Sequence, residues 1–348
     1  MFKILSLDQK TQWNALIRSM SRYDFYHLAE YHQLEHSGQA LLLHYSSNGI
    51  SLALPVILRP IEGTTYNDLT SVYGYAGPLS NRETPDEKVI RDFQKELLFF
   101  FDSRQIVSAF TRLHPLFTNQ ELPLSGLGEM VDTNQTVGID LSLPEKEQKK
   151  QYAHSVKNQI NRLKRKNILV KKAQTPEAID RFIEIYIENM RRVNASKMYF
   201  FPDDYFYRFM EELPASLFLA YYDDEAISGS LFTTCNGIVQ PHLSATKDEY
   251  LRWSPLKLVW DCIRKDAIRQ NEKWMHLGGG FGGADDSLFQ FKTQFSDLRF
   301  SFKTWRYIHN EEVYARLVSE KCPNPISQPS FFPLYRIQNL RTPNSAQF

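Results

Sequence analysis

Between Trp274 and Phe295 the chain gathers groups that could do chemistry. Five glycines fall within six positions, Gly278 to Gly283, followed by Asp285, Asp286 and, one or two turns on, Lys292. Glycines leave backbone bare, so the cluster fits a sharp bend or the close approach of a ligand. A carboxylate just before a helix caps it, and the same carboxylate can orient or deprotonate an amine. A lysine among Leu288, Phe289, Phe291 and Phe295 either snorkels past them or clamps a phosphate. His242 is a second candidate proton acceptor, with a hydrogen-bonded core histidine as the equal alternative. Leu251 to Pro255 join a strand end to a helix start, where backbone N–H groups and the helix dipole favour an anion. Ser254 and Pro255 there suit an N-cap and the first helical position equally well.

Other motifs carry less. The glycine cluster satisfies Gly-x-Gly-x-x-Gly, but a dinucleotide fold needs a second βαβ half downstream, and only one strand and a tail remain. His32, Glu35 and His36 fit His-x-x-Glu-His, yet no third metal ligand stands out, so no metal is expected. Residues 145–172 hold ten Lys/Arg against two Glu. This stretch reads as a solvated helix over residues 148–167, with Tyr152, Val156, Ile160 and Leu163 as its apolar stripe, in preference to a phosphate or RNA surface.

The elements that must position these groups repeat. In each half, helices precede an antiparallel hairpin, a third strand, a helix and a further strand. The first hairpin pairs residues 39–45 with 50–58 across Asn48-Gly49, and the second pairs 216–222 with 226–234. A strand over 71–79 and a helix over 25–36 are also expected in the first half. In the second half a strand over 238–246, a helix over 255–270, a strand over 274–277, a helix over 287–295 and a last strand over 299–309 follow. The fold class is α/β (α+β), two copies of one small domain, with boundaries at 1–143 and 144–321 and an irregular tail at 322–348.

Length and composition agree. The 348 residues exceed a usual single core. A net charge of +1 argues against nucleic acid as the main ligand. Three widely spaced cysteines read as reduced thiols, and without a signal peptide or an apolar run of spanning length the expected location is cytoplasmic, with no membrane span. The oligomeric state, monomer or dimer, is not fixed by the sequence.

Taken together, Tyr73 to Pro78, Glu188 to Arg192, Tyr199 to Phe201, His242 to Ala245, His276 to Gly280 and Asp286 to Phe295 resemble the GNAT superfamily. They resemble in particular its tandem-domain branch, which includes Fem-type peptidoglycan-bridge transferases and the sugar N-acyltransferases of surface-polysaccharide pathways. The resemblance implies two tandem GNAT-like domains, each a mixed, mostly antiparallel sheet flanked by helices. It implies acyl-CoA as cosubstrate, wedged between two splayed strands. Leu243, Ser244 and Ala245 would border the thioester, and Leu251, Arg252, Trp253 and Ser254 would face the pyrophosphate. Tyr73, Tyr75, Arg192, Tyr199, Gly279, Gly280 and Lys292 would serve the acceptor. Asp286, then His242, would take the ammonium proton. Many single-domain relatives place a tyrosine on the helix after the fifth strand to protonate the thiolate; here that helix carries Phe289, Phe291 and Phe295. The implied reaction is acyl transfer from acyl-CoA to the amine of a dTDP- or UDP-linked amino sugar for O-antigen or capsule. Two alternatives are aminoacyl transfer from tRNA to a peptidoglycan precursor, and a non-catalytic module that binds a nucleotide ligand.

Overall fold

The computed structural model describes residues 2–280, 284–322 and 331–340. The described residues divide into two compact units, the first formed by 2–134 with 301–322 and 331–340 and the second by 135–280 with 284–300. The division thus falls before the position read from sequence, and the chain returns to the first unit near its end.

In the first unit, β1 (Lys3–Ser6) leads through α1 (Lys10–Arg18) and α2 (Ala29–Gln33) to a hairpin of β2 (Gln39–Ser47) and β3 (Ile50–Pro60). Asn48 and Gly49 both take positive φ, 52° and 74°, as a two-residue hairpin turn requires. β4 (Asn67–Thr70), β5 (Leu79–Ser80), α3 (Glu87–Ser103) and β6 (Ile106–Arg112) follow. α3 lays Val89, Phe93, Leu97, Phe100 and Phe101 on the sheet, at helical spacing.

Two expectations in this unit fail. The strand over 71–79 is irregular chain, with ladder pairing only at Leu79 and Ser80. Gly74 sits at φ +133° with the Tyr26 ring where a Cβ would stand, a conformation incompatible with a regular strand there. The helix over 25–36 is a 3-10 turn, Phe25–His27, then the short α2, which ends before His36. His32 and His36 therefore share no helical face. His32 is buried on the Tyr26 carbonyl at 3.0 Å, while His36 is exposed.

The second unit contains the end of β7 (Glu129–Asp140), then α4 (Glu145–Lys150), α5 (His154–Arg165), β8 (Leu169–Ala173), α6 (Pro176–Arg192), α7 (Asp203–Glu212), β9 (Ala215–Tyr222), β10 (Glu225–Cys235), β11 (Ile238–Thr246), α8 (Leu256–Arg269), β12 (Trp274–Gly278) and α9 (Ser287–Thr293). The strand order is β7-β12-β11-β10-β9-β8. All pairs are antiparallel except β11 with β12. α6 packs on β10 and β11, α7 on β9, and α8 on β9, β10 and β11. The core joins Val156, Ile160 and Leu163 of α5 to Val259, Trp260 and Ile263 of α8 and to Val239 and Met275. The apolar stripe of the basic stretch is buried as read. The single helix over 148–167 is instead two, because the chain breaks at Gln151–Ala153, where Ala153 N–H donates to the Gln294 carbonyl at 2.8 Å.

The last strand, β13 (Arg299–Ile308), pairs antiparallel with β6, with Thr304 opposite Arg112 and Ile308 opposite Ser108. It closes the first unit's sheet instead of ending a second copy. α10 (Glu311–Lys321) and a 3-10 turn, Leu334–Leu340, follow. The turn straps the first unit. Tyr335 is hydrogen-bonded to the Ser108 hydroxyl at 2.7 Å, and Arg336 pairs with the buried Asp68 at 2.8 Å. Among the described residues no helix is long and apolar enough to cross a membrane.

Candidate functional site

The parallel pair β11 and β12 is a fork. Ladder pairing covers only Ile238 with Trp274 and Val239 with Met275. Beyond these, β11 continues to Thr246 on β10, and β12 continues to Gly278 on β7. Pro241 helps to free β11, since it brings no N–H to a ladder. A bulge sits at the same place: Leu231 faces Leu243 and Phe232 faces Pro241, so His242 is the extra residue. β12 also bulges against β7 between His276 and Gly278. At the base of the fork the His276 Nδ1 is hydrogen-bonded to Gln240 Oε1 at 3.1 Å.

The arms of the fork lead to the two predicted loops. From β11 the chain passes through a 3-10 turn, Asp248–Trp253, into α8. Leu251 and Arg252 are exposed and Trp253 is half-buried. Ser254 does not cap α8. It closes the preceding turn in the left-handed region, at φ 49°, with its N–H on the Leu251 carbonyl at 2.9 Å. The basic helix meets this loop: Gln159 donates to the Trp253 carbonyl, and the Lys166 ammonium lies 4.3 Å from the Trp253 ring centre. Arg192 also reaches it, pairing with Asp248 at 3.0 Å.

From β12 the chain passes through Gly278, Gly279 and Gly280, and Gly282 and Gly283 lie outside the described residues. Gly278 takes φ +74°. At Gly280 a Cβ would stand 2.0 Å from the Ala284 carbonyl and 2.6 Å from Asp286 Oδ1, so only glycine fits this turn. Asp286 is the N-cap of α9, accepting from the Phe289 N–H at 2.8 Å. Lys292 donates from Nζ to the Gly279 carbonyl at 2.5 Å, and burial lowers its pKa to about 8 against the supporting charge of Asp286. Asp286 and Lys292 thus both stand on the glycine turn at the open end of β12. α8 and α9 pack together through Trp260 with Phe291 and Phe295, and Lys257 donates to Gln294 at 3.0 Å.

His242 lies against α7. Its Nε2 is hydrogen-bonded to the Tyr205 hydroxyl at 2.7 Å, and its ring stacks on Phe209 at 4.5 Å. Burial lowers its pKa to about 3, so it is a neutral imidazole at physiological pH. Tyr205 stacks in turn on Phe201 at 4.2 Å, and the Tyr199 carbonyl accepts from the Tyr186 hydroxyl at 2.9 Å. Leu243 and Ser244 are half-buried on β11, and Ala245 is buried. Ser244 shares a hydrogen bond with Ser230 at 2.8 Å and accepts from the Trp260 indole at 3.4 Å.

Tyr73 and Tyr75 belong to the first unit. Tyr73 is exposed, with Arg112 5.8 Å from its ring centre. Tyr75 packs edge-on against Tyr26, His114 and Phe302. Sequence reading missed Tyr205 and the Gln240–His276 bridge. Pro241 inside a strand was the available signal for the bulge and for what surrounds it.

A family model described as an acetyltransferase (GNAT) domain matches residues 150–292. No curated protein matches the chain. Among solved structures, FemX is similar with a TM-score of 0.71 at 11% identity, over 90% of this chain and 99% of that one. The C-terminal domain of a putative lysylphosphatidylglycerol synthetase from Agrobacterium fabrum gives 0.58 at 12% identity, over 90% and 96%. The L-PGS of Bacillus licheniformis gives 0.56 at 12%, over 90% and 97%. At such identities the likeness is one of fold. Over residues 150–292 the chain matches the acetyltransferase (GNAT) domain model, within a mixed α/β fold of two compact units that is similar to FemX.

Proposed function

We propose that the protein transfers an acyl group from acyl-CoA to the amine of a nucleotide-linked amino sugar, dTDP- or UDP-linked, of the kind used to build O-antigen or capsule. The observation that carries the donor half is the fork between β11 and β12, with the turn that leads into α8 beyond one arm and a carboxylate and a lysine beyond the other. The thioester lies between Gln240–Thr246 and His276–Gly278, where the two strands no longer pair with each other. The CoA pyrophosphate lies on residues 251–255, with Lys166 beside it.

The amine attacks the carbonyl carbon directly. Asp286 accepts its proton, and the thiolate, with a solution pKa near 8.5 for a thiol of this type, departs without a dedicated acid. His242, neutral and engaged by Tyr205, serves as a hydrogen-bonding group on the β11 bulge in preference to a base. Lys292, and Arg192 more remotely, answer to the acceptor's phosphates. Tyr73, Tyr75, Tyr199, Gly279 and Gly280 are assigned to the acceptor as well.

A second reading is an aminoacyl-tRNA donor and a peptidoglycan precursor as acceptor, in the Fem manner. The FemX-like fold and the basic end of α5 against Trp253 favour it. One experiment separates the two. Purified protein is incubated with acetyl-CoA and a panel of nucleotide amino sugars, and free thiol is followed; a parallel arm supplies aminoacyl-tRNA and a peptidoglycan precursor. Thiol release that depends on one amino sugar supports the first reading. Transfer in the tRNA arm alone overturns it in favour of the second.

A further inference from the structure

The base of the fork speaks to the acyl group. Pairing between β11 and β12 stops at Val239 and Met275. The next residue on each strand is polar and buried: Gln240 is 5% exposed and His276 0%. Their side chains meet across the divergence, Oε1 to Nδ1 at 3.1 Å. Side chains alternate faces along a strand, so this bridge lies on the face opposite Val239 and Met275, which join the core under α8. β12 remains paired to β7 on its other edge, with His276 opposite Gly138, so the opening is on the β11 side alone.

We propose that the Gln240–His276 bridge is the floor of the acyl site and restricts the donor to short acyl groups, of about two to four carbons. The inference rests on the reading that acyl-CoA occupies the fork. A chain entering from the open end meets the bridge as soon as the strands converge. On one face, passage requires breaking a buried hydrogen bond and leaving an amide and an imidazole against hydrocarbon. On the other face Val239 and Met275 fill the space, with Phe232 and Trp260 in the same core. Close-packed side chains do not yield room for extra methylenes without strain. Short acyl groups end above this floor. Gln240 and His276 are specificity-determining residues in this account, separate from the groups that move protons.

The test uses the full chain and calorimetric titration with CoA, acetyl-CoA, butyryl-CoA and octanoyl-CoA, which needs no acceptor. The expected order has octanoyl-CoA binding about ten-fold or more weaker than acetyl-CoA. Gln240→Ala removes half of the bridge and should shrink that gap, taken as the ratio of octanoyl-CoA to acetyl-CoA affinity on the same variant, about five-fold or more. His276→Asn, checked by circular dichroism for folding, should shrink it too. Octanoyl-CoA binding as tightly as acetyl-CoA to the unaltered protein overturns the inference, whatever the variants do, while leaving the acyl-CoA reading in place. A gap that survives in both folded variants overturns it as well. Absence of binding by every CoA species sinks the underlying reading, and the inference with it.

Discussion

Asp286 and Lys292 were legible as residue types, and the structure gives each a defined local task. Asp286 holds the start of α9, and Lys292 holds the Gly279 carbonyl. Cap and base are separable by substitution. Asn caps a helix about as well as Asp, so Asp286→Asn should change stability by no more than a few tenths of a kcal/mol, about the difference between good caps. If Asp286 takes the ammonium proton, the same change should lower kcat about 100-fold or more. A melt and a rate measurement on one variant check both. Lys292 has its pKa lowered to about 8 by burial, so its charge disappears as pH rises through that value. The KM for a phosphate-bearing acceptor should therefore climb above about pH 8, and Lys292→Arg, which stays protonated, should flatten the climb. A KM independent of pH from 7 to 9 would remove Lys292 from phosphate binding. His242 is the residue where the sequence left two readings open. What surrounds it is the company of Tyr205 and Phe209, from a helix more than thirty positions upstream, which no local pattern announces.

At the scale of elements, local pattern located pieces well and partnerships poorly. β11 was read as Ile238–Thr246, its observed span, because Asn236-Gly237 starts it and alternating residues continue it. Its divergence from β12 was implied by the family resemblance alone and not by local pattern, since the register between two strands is set by tertiary packing. Likewise β13 was read within a residue of its bounds, as the last element of the second half, while it pairs with β6. The strand over 71–79 failed because Tyr73 and Tyr75 are aromatic for packing and exposure, while the glycines between and beyond them bend the chain. α8 begins at the loop proposed for the pyrophosphate, so what anchors α8 matters to that proposal. Arg264, 0% exposed, donates to Tyr152 at 2.9 Å, to Gln148 at 2.8 Å and to Asp261 at 3.0 Å, tying α4 and the α4–α5 turn to α8. Removing one member leaves buried partners uncompensated. Arg264→Met should cost about 3 kcal/mol or more in chemical denaturation. A loss within experimental error would mean that the network relaxes around the change.

At the scale of the molecule, the tandem organisation was legible from the repeated element order, and the position of the chain's return was not. Repetition tells how many units to expect, while only contacts tell where each unit ends. The first unit also carries a cost at low pH. His27, His32 and His114 are buried there, with pKa values lowered by that burial to about 4, 3 and 3. Each binds a proton readily only when unfolded, so the unfolded state gains as pH falls below 6.5, the ordinary histidine value. For His32 alone the loss between pH 6.5 and 5 is about 2 kcal/mol. Asp24, raised by burial to about 7, works the other way, since it is protonated in the folded state and gains the fold stability as pH falls from 7 toward the ordinary carboxylate range. Three histidines outweigh one carboxyl, so the melting temperature should drop between pH 7 and 5. A melt that stays level over that interval would contradict the burial of these imidazoles in neutral form.

The central claim is that acyl-CoA enters the fork between β11 and β12. A crystal structure of the protein with CoA bound tests it directly. The account predicts the pantetheine arm between residues 240–246 and 276–278, with the pyrophosphate on residues 251–255 and the thiol near the Gln240–His276 bridge. CoA bound elsewhere, with the fork empty, would contradict it.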